Sequence, residues 1–208
     1  NGGYCGEVSA DSREVMARID KRGAGMSRLI LDMLRLERLK ASVHTPETME
    51  QINVAAVIAR AIDKLEPVAN ARNIKLDHAT QDFWVVGIPE QLEIILENII
   101  SNALTYSYDN ASVEILSAVN FQDATGNITV TDQGIGIEEK DLPNIFNEYF
   151  YSPRAVVHNK SSSGIGLSLV KIAARNNNIK IRVSSTPNLG TTFTIVFHNI
   201  LPPGGNVD

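Results

Sequence analysis

Apolar residues recur along the chain in distinct rhythms, and each rhythm predicts an element. Asp11 or Ser12 can cap a helix in which Val15, Ile19, Met26, Leu29, Met33 and Leu36 keep helical spacing to about residue 41. Gly23 and Gly25 weaken its middle and predict a bend or a close helix contact. One amphipathic helix cannot bury its seam alone, so it calls for a partner helix from upstream chain, a second subunit or both. Residues 42–52 read as a connector with Pro46 and a short strand at 49–52. Val57, Ile58, Ala61, Ile62 and Leu65 share one face of a helix over residues 54–73, which Pro67 would kink or restart.

Residues 74–76 and 83–86 read as strands, and Pro89 fits the first turn of a helix running to about residue 106. Leu92, Ile94, Ile95, Leu96, Ile99, Ile100, Ala103 and Leu104 make that helix a buried one. Residues 113–118 and 127–131 alternate around Asp123-Ala124-Thr125-Gly126, a hairpin signal. Residues 132–137 break the pattern; a short helix at 139–146 then leads into a polar segment, 151–163. Gly164 opens a further helix to about residue 175, and residues 179–184 and 192–197 pair around Pro187-Asn188-Leu189-Gly190. Residues 204–208 read as tail, and no internal repeat is evident. From residue 48 onward the layout is α+β, one sheet with about three helices on a face.

Composition narrows the function. The 208 residues are 43% hydrophobic and 21% charged, with a net charge of −5, so no basic field favours nucleic acid. The basic residues between Arg18 and Lys40 alternate with Asp20, Asp32 and Glu37, a solvated helix face rather than a DNA or lipid patch. No apolar run approaches the roughly 18–20 residues of a membrane span, so no membrane contact is expected within this chain. Cys5 is the single cysteine, which excludes an internal disulfide and agrees with a reducing, cytoplasmic setting. Asn1-Gly2-Gly3-Tyr4 has neither an initiator methionine nor a signal-peptide pattern, so the chain is expected to be a piece of a longer protein.

Three features carry chemistry. Asn98 and Asn102 are four apart in the most apolar helix and share a face, although asparagine is a mediocre helix former. Their amide oxygens are hard, neutral ligands suited to Mg²⁺ that also carries phosphates and waters. Asp132-Gln133-Gly134-Ile135-Gly136-Ile137 follows a strand; its glycines let the backbone approach a ligand, and Asp132 could accept from an exocyclic amine. Ser161-Ser162-Ser163-Gly164-Ile165-Gly166-Leu167-Ser168 precedes a helix, where exposed N–H groups favour phosphate. Neither a P-loop nor a dinucleotide fingerprint is present.

The order of these features resembles the ATP-binding catalytic domain of sensor histidine kinases, within the group that includes gyrase, Hsp90 and MutL. Asn98 and Asn102 match the N box; Asp132, Gly134 and Gly136 the first glycine box; Ile145, Phe146, Tyr149 and Phe150 the F box. Gly164, Gly166 and Leu167 match the second glycine box, and Gly190-Thr191-Thr192-Phe193 the motif on the final strands. The resemblance implies a two-layer Bergerat-type fold over residues 53–203. Residues 1–42 would be part of a dimerisation domain, its second helix ending Leu34-Arg35-Leu36-Glu37-Arg38-Leu39, with 43–52 as connector. It also implies that Asp132 accepts from adenine, that Asn102 with Asn98 beside it ligates Mg²⁺, and that Tyr106 lines the nucleotide. Residues 151–163 would be the ATP lid, contributing Tyr151 and Arg154. Ile137 would lie at the first glycine box. Ser163, Gly164, Ile165, Gly166 and Leu167 would meet the phosphates, and Thr192 would assist at the adenine end. The implied reaction moves the γ-phosphoryl of ATP to a histidine for relay to a response-regulator receiver domain, in a homodimer.

Thr105 stands where the family often has a phosphate-facing lysine, Tyr151 where it often has arginine, and Ser162 where it often has glycine. Arg154 or Lys160 could substitute from the lid. His44, His78, His158 and His198 all lack the acceptor pattern, so the phosphoacceptor is expected upstream of this chain. Two alternatives remain open at this point. One is a nucleotide-binding pseudokinase or interaction module. The other is a gyrase- or Hsp90-type ATPase, which places glutamate where Asn98 stands; here Glu97 is one position off.

Overall fold

The long seam forms α1 (Ala10–Ala41), unbroken through Gly23 and Gly25 in a computed structural model that describes residues 9–41, 49–158 and 163–202. Cys5, His44, Pro46, Lys160, Ser161, Ser162 and the tail 204–208 lie outside the described residues. A Cβ at Gly23 or Gly25 would meet nothing within 4 Å, so no close helix contact forms there among the described residues. The C-terminal half of α1 packs on the rest of the chain. Leu36 and Leu39 are buried, Lys40 Nζ lies 2.8 Å from Glu148 Oε1, and Ser163 Oγ donates to Asp32 Oδ2 at 2.8 Å. Farther along, Val15, Met16, Ile19, Met26, Ile30 and Leu34 are exposed.

The remaining elements are β1 (Glu50–Asn53), α2 (Val54–Ala71), β2 (Lys75–Ala79), β3 (Trp84–Gly87) and α3 (Pro89–Tyr106). They continue with β4 (Ser112–Asn120), β5 (Thr125–Asp132), α4 (Pro153–His158), α5 (Gly166–Asn176), β6 (Lys180–Thr186) and β7 (Gly190–His198). The main sheet has the order β2-β4-β5-β7-β6; β2 and β4 are parallel and the other pairs antiparallel. Helices α2, α3 and α5 cover one face, with α3 packed against both others. Ile95, Leu96, Ile99, Ile100 and Leu104 of α3 meet Ile115, Ile128 and Val130 in the core. The fold is thus the expected α+β arrangement of a mixed sheet and a helix layer behind a long helix.

Three local expectations change. The strands at 49–52 and 83–86 do not join the main sheet but pair with each other, Gln51 opposite Val86. Each feeds almost directly into a helix: Asn53 accepts Ala56 N–H at 2.8 Å to cap α2, and Ile88 alone separates β3 from α3. Their partner is therefore fixed at the helix starts. The short helix at 139–146 shrinks to one 3-10 turn, Leu142–Asn144. Pro143 lacks an N–H and its ring opposes the carbonyl four residues back, which stops an α-helix there. Helix α5 begins at Gly166, because Gly164 has φ +66, outside the helical region. Pro67 stays inside α2 without ending it. Among the described residues no helix is long and apolar enough to cross a membrane.

Candidate functional site

The inward positions of β5 run Gly126, Ile128, Val130 and Asp132. Strand alternation therefore buries a carboxylate on the same face as two branched apolar residues. Asp132 is 5% exposed, and its Oδ1 accepts Thr191 N–H at 3.2 Å. Burial pushes the Asp132 carboxyl up to about 7, against the downward pull of N–H groups from Thr191 and Gly134. Desolvation penalises the charged form more than two backbone donors favour it.

The loop after Asp132 is pinned on both sides. Ile135 N–H donates to Tyr106 O at 3.1 Å, Asn188 N–H to Ile135 O at 2.9 Å, and Ile137 N–H to Ser185 Oγ at 2.8 Å. Close approach requires glycine at two points. A Cβ on Gly134 would sit 2.1 Å from Tyr106 O, and one on Gly136, at φ +63, would sit 2.2 Å from Thr186 O.

Helix α3 forms the adjoining wall. Asn98 Nδ2 donates to Ile94 O at 2.7 Å, which turns Oδ1 outward; a Cβ on Gly166 would lie 2.8 Å from that oxygen. Asn102, one turn on, is half-buried and has no hydrogen-bond partner among the described residues. Tyr106 ends the helix beside Gly134. Helix α5 starts with no side-chain cap on its first turn, so its N–H groups are available to an anion. Tyr151 packs on Gly164, where a Cβ would meet its ring at 2.7 Å, and burial pushes its phenol pKa up, with Tyr106 adding to the shift.

Contacts thus join the start of α5 to Asn98, and Tyr106 to Gly134 and Asp132, with Asn102 one helical turn from both Asn98 and Tyr106 along α3. Two expected members stand apart. Thr192 points to the open face of the sheet, paired with Thr131 Oγ1 at 3.1 Å. Thr191, one residue earlier, is the buried neighbour of Asp132, its Oγ1 2.9 Å from Ser185 Oγ. Parity along Phe193, Ile195 and Phe197 carries that signal in the sequence. Arg154 is not directed at the start of α5: its Nη2 donates to Asn188 Oδ1.

Arg72 is a further residue of the site that sequence reading missed. Its guanidinium donates to Leu104 O, to Thr105 O at 3.1 Å and to Ser107 O at 2.8 Å, satisfying the open carbonyls at the end of α3, and it also binds Asp109 Oδ1 at 2.8 Å. Arg72→Met should cost about 2 kcal/mol, the scale of hydrogen bonds to a charged donor, and lower Tm by about 4–8 °C in thermal unfolding.

Glu97 does not face this site; its Oε1 is 2.6 Å from Lys64 Nζ on α2, as Glu93 is 2.8 Å from Arg60. Among the described residues no group of three or more His, Cys, Asp or Glu could hold a metal. A cation here would draw on amide oxygens, with phosphates and water completing its shell.

Comparison with known proteins agrees with this geometry. Residues 87–200 match the model of histidine kinase-, DNA gyrase B- and HSP90-like ATPases. The sensor-like histidine kinase SenX3 of Mycobacterium tuberculosis (strain CDC 1551 / Oshkosh) is 30% identical over 193 residues, covering 90% of this chain and 46% of that protein. The chain spans about half the length of the curated relatives it matches. The structure of the mycobacterial sensor histidine kinase MprB matches with TM-score 0.61 at 25% identity, covering 71% of this chain and 95% of that one. Full-length ShkA, solved in complex with AMPPNP, shares the fold at TM-score 0.74 and 16% identity, covering 94% of this chain and 40% of that one. With more than half of its residues inside the matched model, and with sensor histidine kinases as its relatives, the chain belongs to the histidine kinase-, DNA gyrase B- and HSP90-like ATPase family.

Proposed function

We propose that this chain is the ATP-binding catalytic core of a two-component sensor histidine kinase, and that it delivers the γ-phosphoryl of Mg-ATP to a histidine outside the chain. The observation that carries this reading is the buried Asp132 carboxylate, reached past a loop that tolerates only glycine at Gly134 and Gly136 and flanked by the open amide of Asn102. Residues 53–203 would form the catalytic domain, 43–52 the connector, 204–208 a tail, and 1–42 part of a dimerisation domain whose partner helix covers the exposed seam of α1. The whole protein would act as a homodimer in the cytoplasm, relaying the phosphoryl group to a response regulator.

In this mechanism Asp132 takes the adenine amine, and Thr191 replaces Thr192 as its neighbour. Asn102, with Asn98 beside it, would hold Mg²⁺, which when bound would neutralise phosphate charge. The N–H groups of Gly164, Gly166 and Leu167 orient the phosphates, while that of Ile165 donates to Ser163 Oγ at 3.4 Å, and Ser163, Tyr106 and Tyr151 close around them. Catalysis is mainly positioning and charge neutralisation. The Lys64 pairing of Glu97 argues against a water-activating ATPase.

The test supplies this chain with radiolabelled ATP and a separate helical dimerisation domain carrying an acceptor histidine. Label should appear on the supplied histidine and not on the chain alone. Mg-ATP binding without transfer would mark a binding module, and steady hydrolysis by the chain alone would restore the ATPase reading.

A further inference from the structure

Helix α4 lies across the first glycine loop, gripping both of its neighbours. Arg154 and His158 are four residues apart and share one helix face. His158 Nε2–H donates to Thr105 O at 3.1 Å, and its ring lies 6.1 Å from that of Tyr106, at the end of α3. Arg154 Nη2 donates to Asn188 Oδ1 in the β6–β7 turn. Between these two anchors runs the loop itself, joined to α3 through Ile135 N–H on Tyr106 O and to the turn through Asn188 N–H on Ile135 O. Glu138, held below the usual carboxylate range by Lys140 and then by Arg154, marks the same side of the loop.

The geometry points to Arg154 and Asn188 as a latch that seats α4 over the base end of the nucleotide site and sets how fast nucleotide enters and leaves. Arg154 is then a positioning residue rather than a phosphate contact, because its guanidinium is engaged at the turn and not at the start of α5. Asn188 suits its post: at φ +66 it occupies a left-handed conformation that asparagine tolerates, which turns its amide outward while its N–H stays on the loop.

This inference rests on the nucleotide-binding reading, and one experiment separates the two. A fluorescent N-methylanthraniloyl-ADP is bound to the 208-residue chain with Mg²⁺ and displaced by excess ADP in a stopped-flow instrument. Asn188→Gly keeps the backbone comfortable at φ +66 while removing the amide acceptor. Arg154→Met keeps the apolar stem. Each should speed dissociation about tenfold, the equivalent of one hydrogen bond to a charged group, with association faster as well. The double variant should be no faster than either single one, because both remove the same bond. A dissociation rate within about twofold of the parent in Asn188→Gly, or effects that multiply, would overturn the latch. So would weaker binding in Arg154→Met alone, the pattern of a phosphate contact. Failure of the parent chain to bind the analogue would sink the nucleotide reading and the latch together.

Discussion

Asn102→Ala should abolish magnesium-dependent ATP binding and leave the fold intact. The two halves of this expectation have separate physical origins. Asn102 makes no hydrogen bond to the described residues, so truncation strands no partner. Alanine is also the better helix former by about half a kcal/mol, so Tm should hold or rise slightly. The amide oxygen, by contrast, is the cation ligand proposed here, and no cluster of acidic side chains among the described residues could replace it. Losing even an indirect partner of a bound metal typically costs 10–100-fold in affinity, and a direct ligand should cost at least about 100-fold. Calorimetric titration with Mg-ATP, repeated in chelator, tests this. Wild-type and variant should coincide without magnesium and diverge with it; equal affinities in both conditions would remove Asn102 from the metal site.

Asp132→Asn should pull binding and stability in opposite directions. With the folded carboxyl near 7 and its ordinary value at 3.8, the native state holds an extra proton between those values. Stability contributed by this group therefore falls as pH rises from about 4 to about 7 and stays lower above, by about 4 kcal/mol in all. Asparagine cannot ionise, so the variant should melt several degrees higher than the parent at pH 8, with that advantage less than half as large at pH 5 and gone below about pH 4. Its single amide oxygen would serve the Thr191 N–H, leaving an NH₂ group toward the ligand, a donor facing the adenine amine. Adenine nucleotides should bind about 100-fold more weakly, while a guanine nucleotide loses far less. Equal loss for both bases would make Asp132 a structural residue only. In the parent chain, adenine affinity should fall as pH drops below about 7.

Local signals and long-range ones divided unevenly between sequence and structure. The period-two run through Gly126, Ile128 and Val130 already points Asp132 inward, and the four-residue interval already puts Asn98 and Asn102 on one face. Both depend only on neighbours along the chain. Thr191 carries the same parity signal, from Phe193 and Ile195, whereas the family motif by itself points to Thr192. Arg72 left no local trace, since it serves carbonyls 32–35 residues away. The β1–β3 pairing was hidden for a similar reason: each strand alone fits any sheet edge, and the helices that follow choose its partner. Pro143 was readable as a helix stop, yet the apolar Ile145 and Phe146 argued for continuing.

The tie between α1 and the nucleotide domain has a mechanical meaning. At 1.5 Å per residue, the 32 residues of α1 make a rod about 48 Å long. It is gripped near one end, through Asp32 on Ser163, Leu36 and Leu39 in the core, and Lys40 on Glu148. Such a rod is a lever whose short arm ends next to Ser163, just before the start of α5. A small twist at the far end arrives there as displacement, and by reciprocity any ligand that repositions Ser163 pushes back on the rod with equal coupling energy.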